Sequence, residues 1–245
     1  MKQKVYDVYR NCNGMSEQRF SGTEEECRQW IANRGDTGRA YYSMENPRLV
    51  EEVGTIINIQ IKDIHGNVLF ELSRVDNTFK ETLEEAVRQG VCLRYANLTE
   101  VDLSHADLRK ARLSDAYIRY TNLRYANLRG ANLSNALFWG ADLTGADVSY
   151  VNLTRSIMHR TKLFETILYC TRLDGANLRL INLSNADLRS SDLRYATIDA
   201  SDFSLVNFDG AKFDDTIFFR CDMKGAVNIP TEGSRILIDY NKDDE

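Results

Sequence analysis

From Val91 to Gly225 the sequence runs in fives, VCLRY-ANLTE-VDLSH-ADLRK-ARLSD-AYIRY and onward to CDMKG, giving 27 units with no break in register. The third position of each unit, Leu93 through Met223, is Leu, Ile, Val, Met or Phe. The first, Val91 through Cys221, is Ala, Val, Ser, Thr, Ile or Cys. Neither position ever carries a charge. Five residues advance an α-helix by about 140° beyond a full turn, and an odd period reverses faces along a strand, so neither regular element accounts for the pattern. Within one unit, positions one and three share a side of an extended segment while position two points away. Positions four and five must then bend the chain so that the next first position again faces inward. Repetition of that bend closes a coil around a filled interior, with successive coils about 4.8 Å apart. The chain is therefore read as a β-solenoid. Its 14 glycines and 2 prolines are few for a corner every five residues. The Asp or Asn at most second positions takes that part by bonding to nearby backbone. A calcium-loaded solenoid is set aside because the glycine-rich repeat of such sites is missing.

Units such as Ala106-Asp107-Leu108, Ala126-Asn127-Leu128 and Ala186-Asp187-Leu188 resemble those of the pentapeptide-repeat family, over about 135 of the 245 residues. The resemblance implies a mainly β fold in which four units make the four sides of a square. The result is a right-handed quadrilateral β-solenoid of almost seven coils, roughly 32 Å long, here preceded by a small α+β module. Some members of that family are duplex-DNA mimics that bind DNA gyrase or topoisomerase IV and protect against quinolones. The resemblance brings that in as one functional expectation.

Outside the repeat the pattern returns to ordinary elements. Residues 1–53 read as a β-β-α-β module: strands over Val5–Tyr9 and Gln18–Phe20 around an Asn13-Gly14 turn, then a helix opened by the capping box Thr23-Glu24-Glu25-Glu26. That helix turns Cys27, Trp30 and Ile31 inward, Ala40-Tyr41-Tyr42 returns as a strand, and a linker covers Glu45–Gly54. Residues 54–90 read as a hairpin and a capping helix. Ile57, Ile59 and Ile61 alternate with polar residues, and His65-Gly66-Asn67 turns the chain into Val68, Phe70 and Leu72. A second capping box, Thr78-Phe79-Lys80-Glu81, then leads Phe79, Leu83, Ala86 and Val87 along one helical face that covers the open end of the first coil. Residues 91–226 are the solenoid, and 227–245 are a C-terminal cap and tail. Phe203, Phe208, Phe213 and Phe218 occupy four consecutive third positions, one on each side of a coil, and are expected to form an aromatic layer at the C-terminal end. The segment from Ile229 to Tyr240 either covers that layer or pairs with a second copy, and a homodimer is left open.

Five cysteines with no CxxC pair fit reduced thiols. No window is apolar for long enough to span a membrane, and Met1–Arg10 lacks the apolar core of a signal peptide, so a soluble cytoplasmic protein is expected. His65, His105 and His159 are isolated, and no nucleophile elbow, phosphate loop or zinc motif is present. A rod of this kind offers no obvious cleft. The sequence therefore reads as non-enzymatic, with no metal and no cofactor.

What remains is surface. Residues twenty apart stack on one side of a four-unit coil, and one side stands out. Its second positions are Tyr117, Leu137, Ile157, Asn177, Thr197 and Ile217; its fourth are Arg119, Trp139, His159, Arg179, Asp199 and Phe219. Its fifth positions include Tyr120, Arg160, Leu180 and Arg220. Aromatic, aliphatic and Arg side chains dominate binding hot spots, which makes this wall the candidate partner surface and a protein-binding scaffold the leading function. DNA mimicry toward gyrase is the alternative. It calls for a strongly negative rod, whereas residues 91–226 carry 17 basic and 16 acidic side chains against a net −5 for the whole chain. Direct binding of nucleic acid is disfavoured by the pI near 5.4 and the lack of a dense basic cluster.

Overall fold

The structure, a computed structural model, describes residues 2–12, 15–22, 41–51, 55–229 and 235–237, with side chains over 55–229. The expected Asn13-Gly14 turn, the helix beginning at Thr23 and the acidic tail lie outside the described residues. The chain divides into two compact units, Met1–Ile56 and Ile57–Glu245.

The first unit is a three-stranded antiparallel sheet of β1 (Lys2–Cys12), β2 (Met15–Gly22) and β3 (Tyr41–Glu51), in the order β2-β1-β3. The third strand runs further than the sequence suggested: it continues to Glu51, straight through Pro47 and most of the expected linker. The reason lies in the register. Val5 pairs with Arg48 and Asp7 with Glu45, so a bulge falls opposite Pro47. On an edge strand, a bulge is where a residue without an N–H is tolerated.

The second unit opens with β4 (Ile56–Lys62) and β5 (Val68–Val75), which pair as a two-stranded sheet. Asp63 ties the turn between them, its carboxylate accepting from the backbone N–H of His65 at 2.8 Å and of Asn67 at 2.9 Å. Burial deepens toward the solenoid: Ile57 is exposed, Ile59 half-buried and Ile61 buried. Helix α1 (Phe79–Arg88) follows, with Thr78 and Glu81 completing the expected capping box. Its Leu83 and Ala86, together with Ile61, belong to one core with the repeat leucines. The cap also satisfies backbone groups that the first coil has no preceding coil to meet. Asn97 N–H donates to Lys62 O at 2.9 Å and Asp107 N–H to Glu84 Oε1 at 2.8 Å.

Every third position from Leu93 to Met223 is buried, and so is every first position from Ala96 onward except Val101 and Ala211. The β-bridges are parallel and join residues twenty apart, Tyr117 with Leu137 and Asn122 with Asp142 for example, so four units make one coil. The hydrogen bonds between coils repeat with the units: Leu98 N–H donates to Tyr117 O at 2.8 Å, and Tyr117 N–H to Ala96 O at 2.9 Å. Buried threonines at first positions join this ladder. Thr121, Thr161, Thr166, Thr171 and Thr216 each donate their hydroxyl to a carbonyl of the preceding coil. These threonines thus enter the core without an unpaired group, whereas the buried hydroxyl of Ser156 at another first position has no partner.

The corners are built as the second positions suggested. Apart from Asn177, every Asp or Asn at that position accepts from the backbone N–H two residues on, as Asp147 does from Ser149 at 2.9 Å. The sequence did not disclose the partner device: every fifth position, Tyr95 through Gly225, has a positive φ, whether it is Gly or not. At most corners this residue is the second central residue of a turn, where a positive φ is what a type II turn requires; the corners at Leu180, Ala200 and Arg220 lack the closing hydrogen bond.

On one side of the later coils the extended segments qualify as strands: β6 (Asn177–Arg179), β7 (Thr197–Asp199) and β8 (Ile217–Phe219), in parallel register. Strand β9 (Arg235–Leu237) adds to β8, also in parallel, so the tail extends that face within the chain. Near this end the four phenylalanines form the expected layer, with ring centroids 5.3 to 6.5 Å apart.

Two corner aspartates give the rod a pH dependence. Arg189 and Arg194 each fork onto their Asp, from Nε and Nη2 to both oxygens of Asp187 (2.8 and 2.7 Å) and of Asp192 (2.9 and 2.7 Å). The guanidinium beside each carboxyl holds it below the ordinary carboxylate range. A carboxyl lowered on folding stabilises above its unfolded pKa of about 3.9, and that contribution is lost as pH falls through the lower folded value. The melting temperature is accordingly expected to drop between about pH 4 and pH 2, and to drop less steeply in an Asp187→Asn/Asp192→Asn double variant. Asn keeps the Oδ1 acceptor for the turn but has no charge to titrate. An equally steep loss in that variant would exclude these two pairs as its source.

Candidate partner-binding wall

Each side chain of the candidate wall owes its direction to its place in the unit. Second positions leave the extended segment outward, and fourth and fifth positions project from the corner. The ladder Tyr117, Leu137, Ile157, Asn177 confirms the stacking, each bridged to the next. On this ladder Tyr117 and Leu137 are half-buried, while Ile157 is 44% exposed.

Beside it runs a chain of planar groups. The Arg119 guanidinium lies 5.0 Å from the Trp139 ring centroid, and Trp139 meets His159 edge-on at 5.7 Å. Tyr120 lies tilted at 6.5 Å from Trp139. Its ring occupies the space above Gly140, where a Cβ would come within 2.7 Å of it; Gly140 also has φ +68°. Trp139 remains 40% and Tyr120 53% exposed. Arg160, at the adjacent corner, is exposed and has no hydrogen bond or ion pair from its side chain among the described residues.

The far end is organised differently. Asp199 holds Arg179 at 3.1 Å and Arg220 at 2.7 Å, and Arg220 lies over Phe219 at 4.7 Å. Leu180 and Phe219 are exposed there. The structure therefore divides the wall into two groups. Tyr117, Arg119, Tyr120, Leu137, Trp139, Ile157, His159 and Arg160 form a continuous patch; Arg179, Leu180, Phe219 and Arg220 form a second, clamped by an aspartate.

Two further features escaped the sequence reading. On the opposite side of the coil, Arg129 lies over Tyr150 at 4.7 Å, Tyr150 meets Tyr169 edge-on at 5.6 Å, and Arg189 lies 5.9 Å from Tyr169. Exposed Ile167 is part of the same side. Sorting its residues by twenties, as was done for the first wall, would have found it. The second feature is a groove of about 740 Å³ between α1 and the first coil, lined by Arg74, Glu81, Glu84, Glu85, Arg88, Asp107, Arg109 and Lys110 among others. The cleft that a bare rod lacks thus exists where the cap meets it. It is lined by charged side chains with no histidine, cysteine or hydroxyl, and Glu85 pairs with Arg88 and Asp107 with Arg109 across its rim.

Fold and wall together define a β-solenoid whose outward positions, rather than an enclosed pocket, carry its aromatic and cationic groups. A family model described as pentapeptide repeats matches residues 96–135, 121–160, 166–204 and 192–225, in eight copies, and the chain belongs to the pentapeptide-repeat family. Among solved structures, HetL, a pentapeptide repeat protein involved in heterocyst differentiation regulation from the cyanobacterium Nostoc sp. strain PCC 7120, is 23% identical. The match covers 60% of this chain and 91% of HetL, with a TM-score of 0.25. Full-length QnrB1, a plasmid-mediated fluoroquinolone resistance protein, is 17% identical over 60% of this chain and 84% of its own, with a TM-score of 0.26. A pentapeptide repeat protein of the Arabidopsis thaliana thylakoid lumen is 23% identical over 54% and 68%, with a TM-score of 0.22. No curated protein matches the chain. Among the described residues, no helix is long and apolar enough to cross a membrane.

Proposed function

We propose that the protein is a non-enzymatic cytoplasmic scaffold, a right-handed solenoid of almost seven coils that presents the Tyr117–Arg160 patch to a protein partner. One observation carries the reading. Arg119, Trp139 and His159 form a continuous chain of planar groups in contact, flanked by exposed Tyr120 and Ile157. Large aromatic and Arg side chains held in place by their neighbours lose little entropy on binding and dominate interface energetics. The Arg179, Leu180, Phe219 and Arg220 group extends the surface.

The test is a pull-down from the native cell with wild type and a Tyr117→Ser/Trp139→Ser variant. Retention of the partner is expected to fall by about tenfold or more, while the melting temperature stays within a few degrees, because surface substitutions cost about 0.5 kcal/mol or less. Unchanged retention would overturn the assignment of this wall.

Gyrase modulation by DNA mimicry is the competing reading. A mimic of the duplex has to present carboxylates where DNA presents phosphates. From Tyr117 to Leu180 the outward positions of this wall hold none. A supercoiling assay separates the two readings: inhibition of gyrase at stoichiometric protein would favour mimicry.

A further inference from the structure

Building on that reading of the wall, we propose that the partner docks through an acidic protein segment in which carboxylates flank a large apolar side chain. The charge pattern is the main argument. Across the coils that carry Tyr117 to Leu180, the outward positions of this wall include Arg119, Arg160 and Arg179 and no Asp or Glu. Over the same coils each of the other three walls carries at least one acid: Asp115 and Asp174, Asp142 and Glu165, and Asp147 and Asp187. In a chain of net −5, this side is thus free of negative charge only between Glu100 at one end and Asp199 at the other.

The state of the two inner arginines agrees with this. Arg179 is engaged by Asp199. Arg119 and Arg160 have no carboxylate within 4.0 Å among the described residues, and the Nε of Arg119 is buried with no hydrogen-bond partner. A carboxylate arriving at the reachable nitrogens of either guanidinium makes a charge-assisted hydrogen bond that no group of the wall already supplies. Arg119 and Arg160 belong to coils two rungs apart, or about 10 Å. Exposed Trp139 lies on the rung between them, and exposed Ile157 on the rung of Arg160. Two carboxylates at that spacing with an apolar side chain between them match the patch in charge and in polarity. A nucleic-acid strand matches it less well, since a continuous run of phosphates would also meet the acids on the flanking walls, Asp115, Asp142, Glu165 and Asp174.

The experiment measures fluorescence anisotropy of the full chain with three labelled probes: a peptide in which glutamates flank a Leu-Phe pair, the same peptide with Gln for every Glu, and an oligothymidylate. The acidic peptide is expected to bind about tenfold more tightly than its Gln twin, and an Arg119→Gln/Arg160→Gln variant to lose about that preference. Binding should weaken as salt is raised. In an Arg160→Glu variant the preference should pass to a peptide carrying Lys in place of Glu, a reversal that a purely structural role of Arg160 would not produce. If the acidic and Gln peptides bind equally and Trp139→Ser weakens both, the charge proposal fails while the wall stays a binding surface. Equal binding that ignores Trp139→Ser overturns both. Tighter binding of the oligothymidylate, or no binding of the acidic peptide, overturns the proposal in favour of another ligand class.

Discussion

Phe208→Ala is expected to lower the stability of the solenoid by about 3 to 5 kcal/mol. Phe208 is 1% exposed and touches the other three members of the aromatic layer, with centroids 5.8 Å from Phe203, 5.3 Å from Phe213 and 6.5 Å from Phe218. Removing the ring forfeits its transfer free energy and leaves a cavity whose walls are themselves rings, which cannot collapse into it easily. In a stacked array each coil is supported mainly by its neighbours, so the loss should be local at first. Urea unfolding should split into an early step that releases the C-terminal coils and a later one for the rest. Hydrogen exchange should show early loss of protection over Phe203–Met223, while Leu103–Leu153 stays protected. Phe208→Leu, which restores the commonest third-position residue, should recover much of the loss. A single transition displaced by less than about 1 kcal/mol would mean that the layer is not what closes this end.

Leu83→Asp is expected to have a comparably large effect at the other end, with a different outcome. Leu83 is fully buried in the core that joins α1 to Ile61 and to the first repeat leucines. A carboxylate there has no partner, and several kcal/mol of desolvation is enough to detach a helix of 10 residues. With the helix goes the Glu84 acceptor for Asp107 N–H, and the apolar end of the first coil is opened to solvent. An uncovered solenoid end is a template for another chain, so the variant should self-associate end to end, seen as a rise in light-scattering mass with protein concentration. Leu83→Ala, which removes packing without adding charge, should lose stability but remain of native mass. A Leu83→Asp protein that stays at native mass and melts normally would show that the helix is dispensable as a plug.

Much of this architecture was legible because the repeat leaves little choice. Apolar residues at positions one and three fix which side faces inward, and burial follows them almost without exception, with Val91, Val101 and Ala211 only half-buried. The Asp and Asn corners were legible too, because their side chains act on backbone two residues away. The positive φ of every fifth position was not, for a physical reason. Tyr, Glu, His, Lys, Arg, Cys and Leu all occupy it, so no composition marks it. The conformation is imposed by the turn and by bonds to the next coil, such as Tyr120 N–H to Trp139 O at 2.9 Å. Tertiary context overrides a local cost of about 1 to 2 kcal/mol.

The wall was legible by the same arithmetic of twenties. Its internal wiring was not: that Asp199 would hold two arginines, or that Tyr120 would lie over Gly140, depends on corner geometry. Pro47 misled the reading of the first unit because a sequence shows the missing N–H but not the bulge that absorbs it.

The bridges between residues twenty apart carry a further consequence for how such a chain can change length. One unit is a quarter of a revolution. Loss or gain of a single unit between Tyr120 and Trp139 would leave the leucine interior intact yet swing everything downstream by a right angle, moving Trp139 and His159 away from Arg119. Only a change of four units slides the downstream half along the axis without rotating it. The rod can therefore grow or shrink one way by translation and another by screw rotation, and only the first leaves a stripe unbroken.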